Sequence, residues 1–137
     1  MSFVLDSSVA MTWCFEDERT PATEALLNLV VETGAIVPIL WPLEVLNALA
    51  MAERRKRVDR DTRHRLAGLL RDLPIRVDIE SAAMAWTDTA ALAERHQLTL
   101  YDASYLEVAR RLSLPLGTLD GALRKAAGAM RVSLLGK

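Results

Sequence analysis

Residues 98–120 read LTLYDASYLEVARRLSLPLGTLD, and the order of elements within them decides the fold. Leu98–Leu100 is a short apolar run of the kind that forms a buried strand. Beyond it, Tyr105, Leu106, Ala109 and Leu112 recur at helical spacing, while Glu107 and Arg111 make an i,i+4 pair expected on the wet side. Leu116–Thr118 is a second apolar run. Strand, helix and strand in that order form a crossover unit, which joins parallel neighbours in a sheet. Each run also leads to a carboxylate, Asp102 after the first and Asp120 after the second. An Asp at such a place is either a helix cap, accepting free amide donors of the first turn, or a functional group presented at a strand end.

Working outward, the same alternation fills the chain. Phe3–Leu5, Ala35–Ile39, Ile75–Val77 and Val132–Leu135 are further strand candidates. Thr20 with Pro21 opens a helix whose stripe is Leu26, Leu27, Val30 and Val31, with Gly34 as its stop. Pro42 opens another, with Val45, Leu46, Leu49 and Ala52 facing inward. Asp59 or Asp61 caps a third, reaching to Leu73 before Pro74, and Ser81 caps a fourth that carries Ala82, Ala85, Trp86, Thr89 and Leu92. The expectation is an α/β domain with a mainly parallel sheet. At 137 residues, without repeat, linker or low-complexity tract, one domain over 1–137 is expected.

Composition narrows the class. A chain that is 51% hydrophobic and 26% charged is globular rather than disordered. Its single cysteine, Cys14, allows no internal disulfide and no Cys-rich zinc site, so a reducing, cytoplasmic setting is expected. The opening MSFVLDSSVA has neither a basic leader nor an apolar stretch long enough to span a membrane. A net charge of -1 excludes a global positive field, but not a nuclease, whose own carboxylates lower the sum.

In a parallel sheet with crossover helices, strand C-termini and helix N-termini share one edge, where ligands bind. Asp6, Asp102 and Asp120 each follow an apolar run, and Glu44 falls in the first turn of the helix opened by Pro42. Each alone is explained as a cap or a first-turn acid favoured by the helix dipole. Four at one edge would repel one another and raise one another's pKa values unless a cation sat among them. Oxygen ligands of this kind suit Mg2+ or Mn2+, one or two ions, and metal among carboxylates matches phosphodiester hydrolysis. No protein nucleophile is needed. Ser7 and Ser8 lack a histidine base and are left to cap a helix or to hydrogen-bond a metal-bound water. Asn47, three residues after Glu44, either orients that carboxylate, contacts substrate, or is a polar surface residue.

FVLDSS at residues 3–8, WPLEVLNAL at 41–49, LTLYDASYLEVARRLSLPLGTLD at 98–120 and the trailing ALRKAA together resemble the PIN domain, and within it the short bacterial VapC toxins most. No single piece is specific, but the order and spacing of the four acids are. The resemblance implies a three-layer α/β/α fold and a Mg2+- or Mn2+-dependent endoribonuclease. It further implies a homodimer and inhibition by a small antitoxin protein encoded beside it. Its acidic positions fall on Asp6, Glu44, Asp102 and Asp120, and its hydroxyl near the last acid on Thr118.

Residues 54–65, RRKRVDRDTRHR, hold seven Lys or Arg. They form either a solvated surface or a phosphate-tracking patch, with Arg54, Arg55, Lys56 and Arg57 as the candidate substrate contacts. His64 and His96 have no metal-ligand spacing and read as surface residues, Cys14 as a packed small hydrophobe, and Trp41 as a packing anchor or a base-stacking platform. Two other strand-Asp families fit worse. A haloacid-dehalogenase-type phosphatase needs an Asp where Ser8 stands, and a receiver domain needs an acidic pair and a late Lys that LDSS and GTLDG do not supply. The remaining alternatives are a non-catalytic protein- or RNA-binding module and a housekeeping nuclease without an antitoxin.

Overall fold

The computed structural model describes residues 2–137. Five short strands form one sheet in the order β3-β2-β1-β4-β5, every pair parallel. They are β1 (Val4–Leu5), β2 (Ala35–Pro38), β3 (Ile75–Asp78), β4 (Leu116–Gly117) and β5 (Leu134–Leu135). The central strands are apolar without alternation, as strands covered on both faces must be. From β1 the chain steps one way, through α1 (Ser7–Cys14), α2 (Pro21–Thr33), α3 (Trp41–Arg54) and α4 (Arg60–Arg71), to reach β2 and β3. It then crosses back through α5 (Ser81–Met84), α6 (Ala90–His96) and α7 (Leu100–Leu112) to β4, and through α8 (Gly121–Ala129) to β5. Right-handed crossovers in opposite directions put the two helix groups on opposite faces. The result is the expected three-layer α/β/α arrangement. Among the described residues no helix is long and apolar enough to cross a membrane.

One expected strand is absent. Leu98 and Thr99 are a two-residue link, and Leu100 already begins α7. Gln97 ends α6 in the left-handed conformation at φ 54°, and Thr99 caps α7 by accepting the Asp102 amide at 3.1 Å. A run of three apolar residues carries too little periodicity to separate strand from first helical turn, and here the Thr cap decides. Asp102 therefore arrives on a helix's first turn, and it is not the cap.

Several expected faces also shift. Thr20 caps α2 in a reciprocal box with Thr23, and Gly34 ends it at φ 76°. Asp59, not Asp61, caps α4 through the Thr62 amide at 2.7 Å, and that helix stops at Arg71. Val31 and Leu46 point outward, at 63% and 47% exposure. Between α5 and α6 a π turn, Ala85–Thr89, inserts into an otherwise continuous helix. Its extra residue rotates the buried stripe, so Thr89 and Leu92 are buried while Ala82, Ala85 and Trp86 are exposed. Ser81 is not a cap either. Its hydroxyl donates to the Asp78 carbonyl at 2.7 Å and accepts the Ile39 amide at 2.9 Å, joining the ends of β3 and β2.

Glu107 and Arg111 pair as expected, but inside the protein. Glu107 is 2% exposed, and the Arg111 guanidinium holds it at 2.7 Å while also bonding Asp78 and Glu80. This ties the middle of α7 to the end of β3.

At the strand crossing, a Cβ on Gly117 would stand 2.9 Å from the Phe3 ring and 3.3 Å from Leu26. Gly117→Ala is expected to cost about 1 kcal/mol or somewhat more, because a packed ring and a helix side chain must both give way. Urea unfolding should show a lower midpoint with an unchanged slope.

Candidate active site at the carboxyl edge of the sheet

The strand order reverses direction between β1 and β4, and the crevice outside the carboxyl ends of those two strands is where an open α/β sheet binds ligands. Asp6 leaves β1 there and Thr118 to Asp120 leave β4 there. Asp6 stands at the N-cap position of α1 yet makes no capping bond with its side chain. Its Oδ2 instead accepts the hydroxyls of Ser8 at 2.6 Å and Thr118 at 2.8 Å. Both hydroxyls are themselves fixed, Ser8 by the Leu119 amide at 3.0 Å and Thr118 by the Asp120 amide at 3.1 Å. The two strand ends are thus laced through Asp6. Asp120 caps α8 with one oxygen, accepting the Leu123 amide at 2.8 Å. Its other oxygen makes no hydrogen bond to a described residue.

Glu44 comes in from the first turn of α3, and a residue given only a packing role by the sequence holds it. Tyr105, wholly buried on α7, donates its hydroxyl to Glu44 Oε1. A Tyr one turn after Asp102, on a helix already expected at the acidic edge, was the available signal; only the α3–α7 juxtaposition reveals its target.

The electrostatics follow from this crowding. Asp6 is raised above the ordinary carboxylate value by burial, against the Ser8 and Thr118 bonds, with Asp120 raising it further. Glu44 is raised by burial, offset in part by Tyr105, and then by Asp6 and Asp102. Asp102 is raised by burial, then by Asp120 and Asp6. The Tyr105 phenol is pushed far above its usual range by burial, with Glu44 and Asp6 adding to it. The charged side chains that act most on these three acids are themselves acids.

The set therefore fits a hard divalent cation by charge and by donor type. Among the described residues, no three His, Cys, Asp or Glu side chains are grouped so that they could hold a metal ion as they stand.

Asn47 is exposed one turn beyond Glu44, and its side chain makes no hydrogen bond to it. Arg54 to Arg57 lie at the other end of α3, roughly 15 Å from Glu44 at the helical rise. Arg57 is engaged elsewhere: it bonds Glu18 at 2.6 Å and Asp17 at 2.7 Å and stacks 3.9 Å above Phe15. Trp41 is 5% exposed, which makes it a packing anchor and removes it as a stacking platform. It lines a cleft of about 500 Å³ between α3, α4 and β3, with Val45, Leu46, Ala67, Leu70 and Ile75. Cys14 is half-buried, its thiol pushed up to about 11 chiefly by burial, so it is inert at neutral pH.

The family model for the PIN domain matches residues 3–129. Ribonuclease VapC3 of Pyrobaculum aerophilum is 28% identical over 120 residues, covering 88% of this chain and 90% of that protein. FitAcB from Neisseria gonorrhoeae shares the fold at TM-score 0.68 and 17% identity, over 99% of this chain and 97% of its own. VapBC2 from Rickettsia felis, bound to a DNA fragment from their promoter, shares it at TM-score 0.69 and 8% identity, over 99% and 98%.

Proposed function

The chain belongs to the PIN domain family, and from that premise we propose that it is a Mg2+- or Mn2+-dependent endoribonuclease, the toxin of a type II toxin–antitoxin pair. One observation carries the reading. Asp6, Glu44 and Asp102 are pushed above their ordinary pKa by burial and by neighbouring acids. A fold that keeps such a cluster keeps it for a cation. The ribonuclease named among the relatives supports RNA as the substrate.

Asp6, Glu44, Asp102 and Asp120 would hold the metal, which when bound lowers the pKa of water and offsets charge building on a phosphoryl group. The chain's own contribution is placement. Ser8 and Thr118 hold one oxygen of Asp6, which fixes where the other points. Tyr105 holds one oxygen of Glu44, and the α8 cap one of Asp120. Because the donors are themselves buried or anchored to backbone, the free oxygens are held in place before substrate arrives.

Partners follow as part of the same reading: a small antitoxin that silences the site, and a second copy of the chain. The apolar cleft beside Trp41 has the size to seat a segment of a partner protein. A toxin with these properties works in the cytoplasm, where its RNA is. Purified free of partners, the protein should cut total RNA at discrete positions when Mg2+ or Mn2+ is supplied, and sequencing the new ends identifies the target. Uncut RNA with either metal would refute the nuclease. Unimpaired growth of cells that express it without an antitoxin would refute the toxin.

Tyr105→Phe removes the donor to Glu44 while keeping the ring that fills the core. Cleavage is expected to fall roughly tenfold, in the range of a lost outer-shell partner. Equal rates for Tyr105→Phe and wild type would remove Tyr105 from the site.

A further inference from the structure

Behind Thr118 lies a second set of contacts. Arg124 sits one turn beyond Asp120 on α8, and its Nη1 donates to the Thr118 carbonyl at 2.7 Å and to the Leu135 carbonyl at 3.0 Å. The Leu135 carbonyl also accepts the Thr118 amide at 3.3 Å. On the next residue, Gly136 holds a positive φ of 112°, and a Cβ there would come within 3.2 Å of the Thr118 carbonyl. Thr118 is thus gripped by its own amide and carbonyl from the last strand and from a guanidinium. Wholly buried, it extends its hydroxyl to Asp6 on one side and the Asp120 amide on the other.

We propose that Arg124 and residues 134–136 form a clasp that fixes Thr118 and, through it, the spacing of Asp6 and Asp120. This rests on the nuclease reading. Arg124 is a positioning residue: its bonds run to backbone carbonyls and not to the acids themselves. Charged donors make the stronger hydrogen bonds, and the planar guanidinium is preorganised where an ammonium on a flexible stem is not. The clasp makes the C-terminal strand part of the site, although none of its side chains carries chemistry.

Four variants of the full chain test this: Arg124→Gln, Arg124→Lys, Gly136→Ala, and Lys125→Gln as a charge control on the exposed neighbour. Each is assayed below its own melting temperature for kcat and KM on one RNA, and separately for the Mn2+ concentration that gives half of the maximal thermal shift. Arg124→Gln should lower kcat about tenfold, as small misplacements of reacting groups do, with KM held within about twofold. Its Mn2+ midpoint should rise severalfold. Gly136→Ala should move the same way, Arg124→Lys should fall between, and Lys125→Gln should match wild type. Lower melting temperatures with wild-type kcat and Mn2+ midpoints would make the contacts purely structural, and a rise in KM alone would make Arg124 an RNA contact; either overturns the clasp. Wild type that neither cuts RNA nor responds to Mn2+ would overturn the nuclease reading and the clasp with it.

Discussion

Asp6→Asn is expected to lower RNA cleavage on the order of 100-fold or more while leaving the metal-free protein as stable as wild type, or more so. The loss follows from removing a charged oxygen from the proposed cation site, which costs at least what losing an outer-shell partner does. Retained stability follows from the contacts. Asp6 makes no side-chain capping bond to α1, so the substitution removes none. An Asn carbonyl can still accept from Ser8 and Thr118, which now hold Oδ2. Burial and Asp120 disfavour the charge that the substitution removes. A gel assay on labelled RNA and a thermal melt in chelator check both halves. A variant that cuts normally, or one that melts several degrees lower without metal, would make Asp6 a structural residue.

How much of this could be read from residues alone depends on how local the determining contacts are. Thr20-Pro21 and the Gly34 stop delimit α2 because caps and positive-φ glycines act within one turn. The β1 run and Asp6 were legible for the same reason. Leu98–Leu100 was not, because three residues fit a strand or a helix equally, and a Thr three positions before an acid settles it for the helix. Stripe assignments failed at Val31, Leu46 and Trp86. An amphipathic pattern gives the width of a face but not its rotation, and a π turn breaks the period altogether.

At the site, the four acids could be placed at one edge from their order alone, since parallel crossovers impose that edge. What each acid does locally could not. Asp6 and Asp120 occupy equivalent places after β1 and β4, yet only Asp120 caps its helix. The difference lies in Thr118 and Ser8, whose hydroxyls claim Asp6 from across the sheet. Tyr105 was hidden for a related reason: its partner is sixty-one positions away on α3. Contacts at that separation are properties of the topology, and no window of sequence contains them.

Stability of the metal-free protein should carry a term that falls as pH rises, and divalent cation should reverse it. Asp6, Glu44 and Asp102 hold protons more tightly folded than at their ordinary values of 3.8, 4.5 and 3.8. Between those values and the raised folded ones, the folded state binds more protons than the unfolded, so stability declines with pH and the full cost stands above both. Asp59 has the opposite sign: the Thr62 amide lowers it, so its contribution is present above the ordinary value and is lost on acidification through the folded one. Since Asp59 is unaltered in Asp6→Asn and Asp102→Asn, subtracting the wild-type melt from each variant isolates the acidic cluster. The variants should gain on wild type from about pH 4 upward. On the proposed function Mg2+ or Mn2+ binds the deprotonated cluster, so its stabilisation of wild type should be larger at pH 7.5 than at pH 5, reaching about 2.7 kcal/mol at a hundredfold excess over Kd. The same cation should do little for Asp102→Asn, because the repulsion it relieves has been cut by one charge and one ligand. A variant-minus-wild-type difference that is flat with pH, together with equal cation shifts at both pH values, would mean that the four acids do not act as one site.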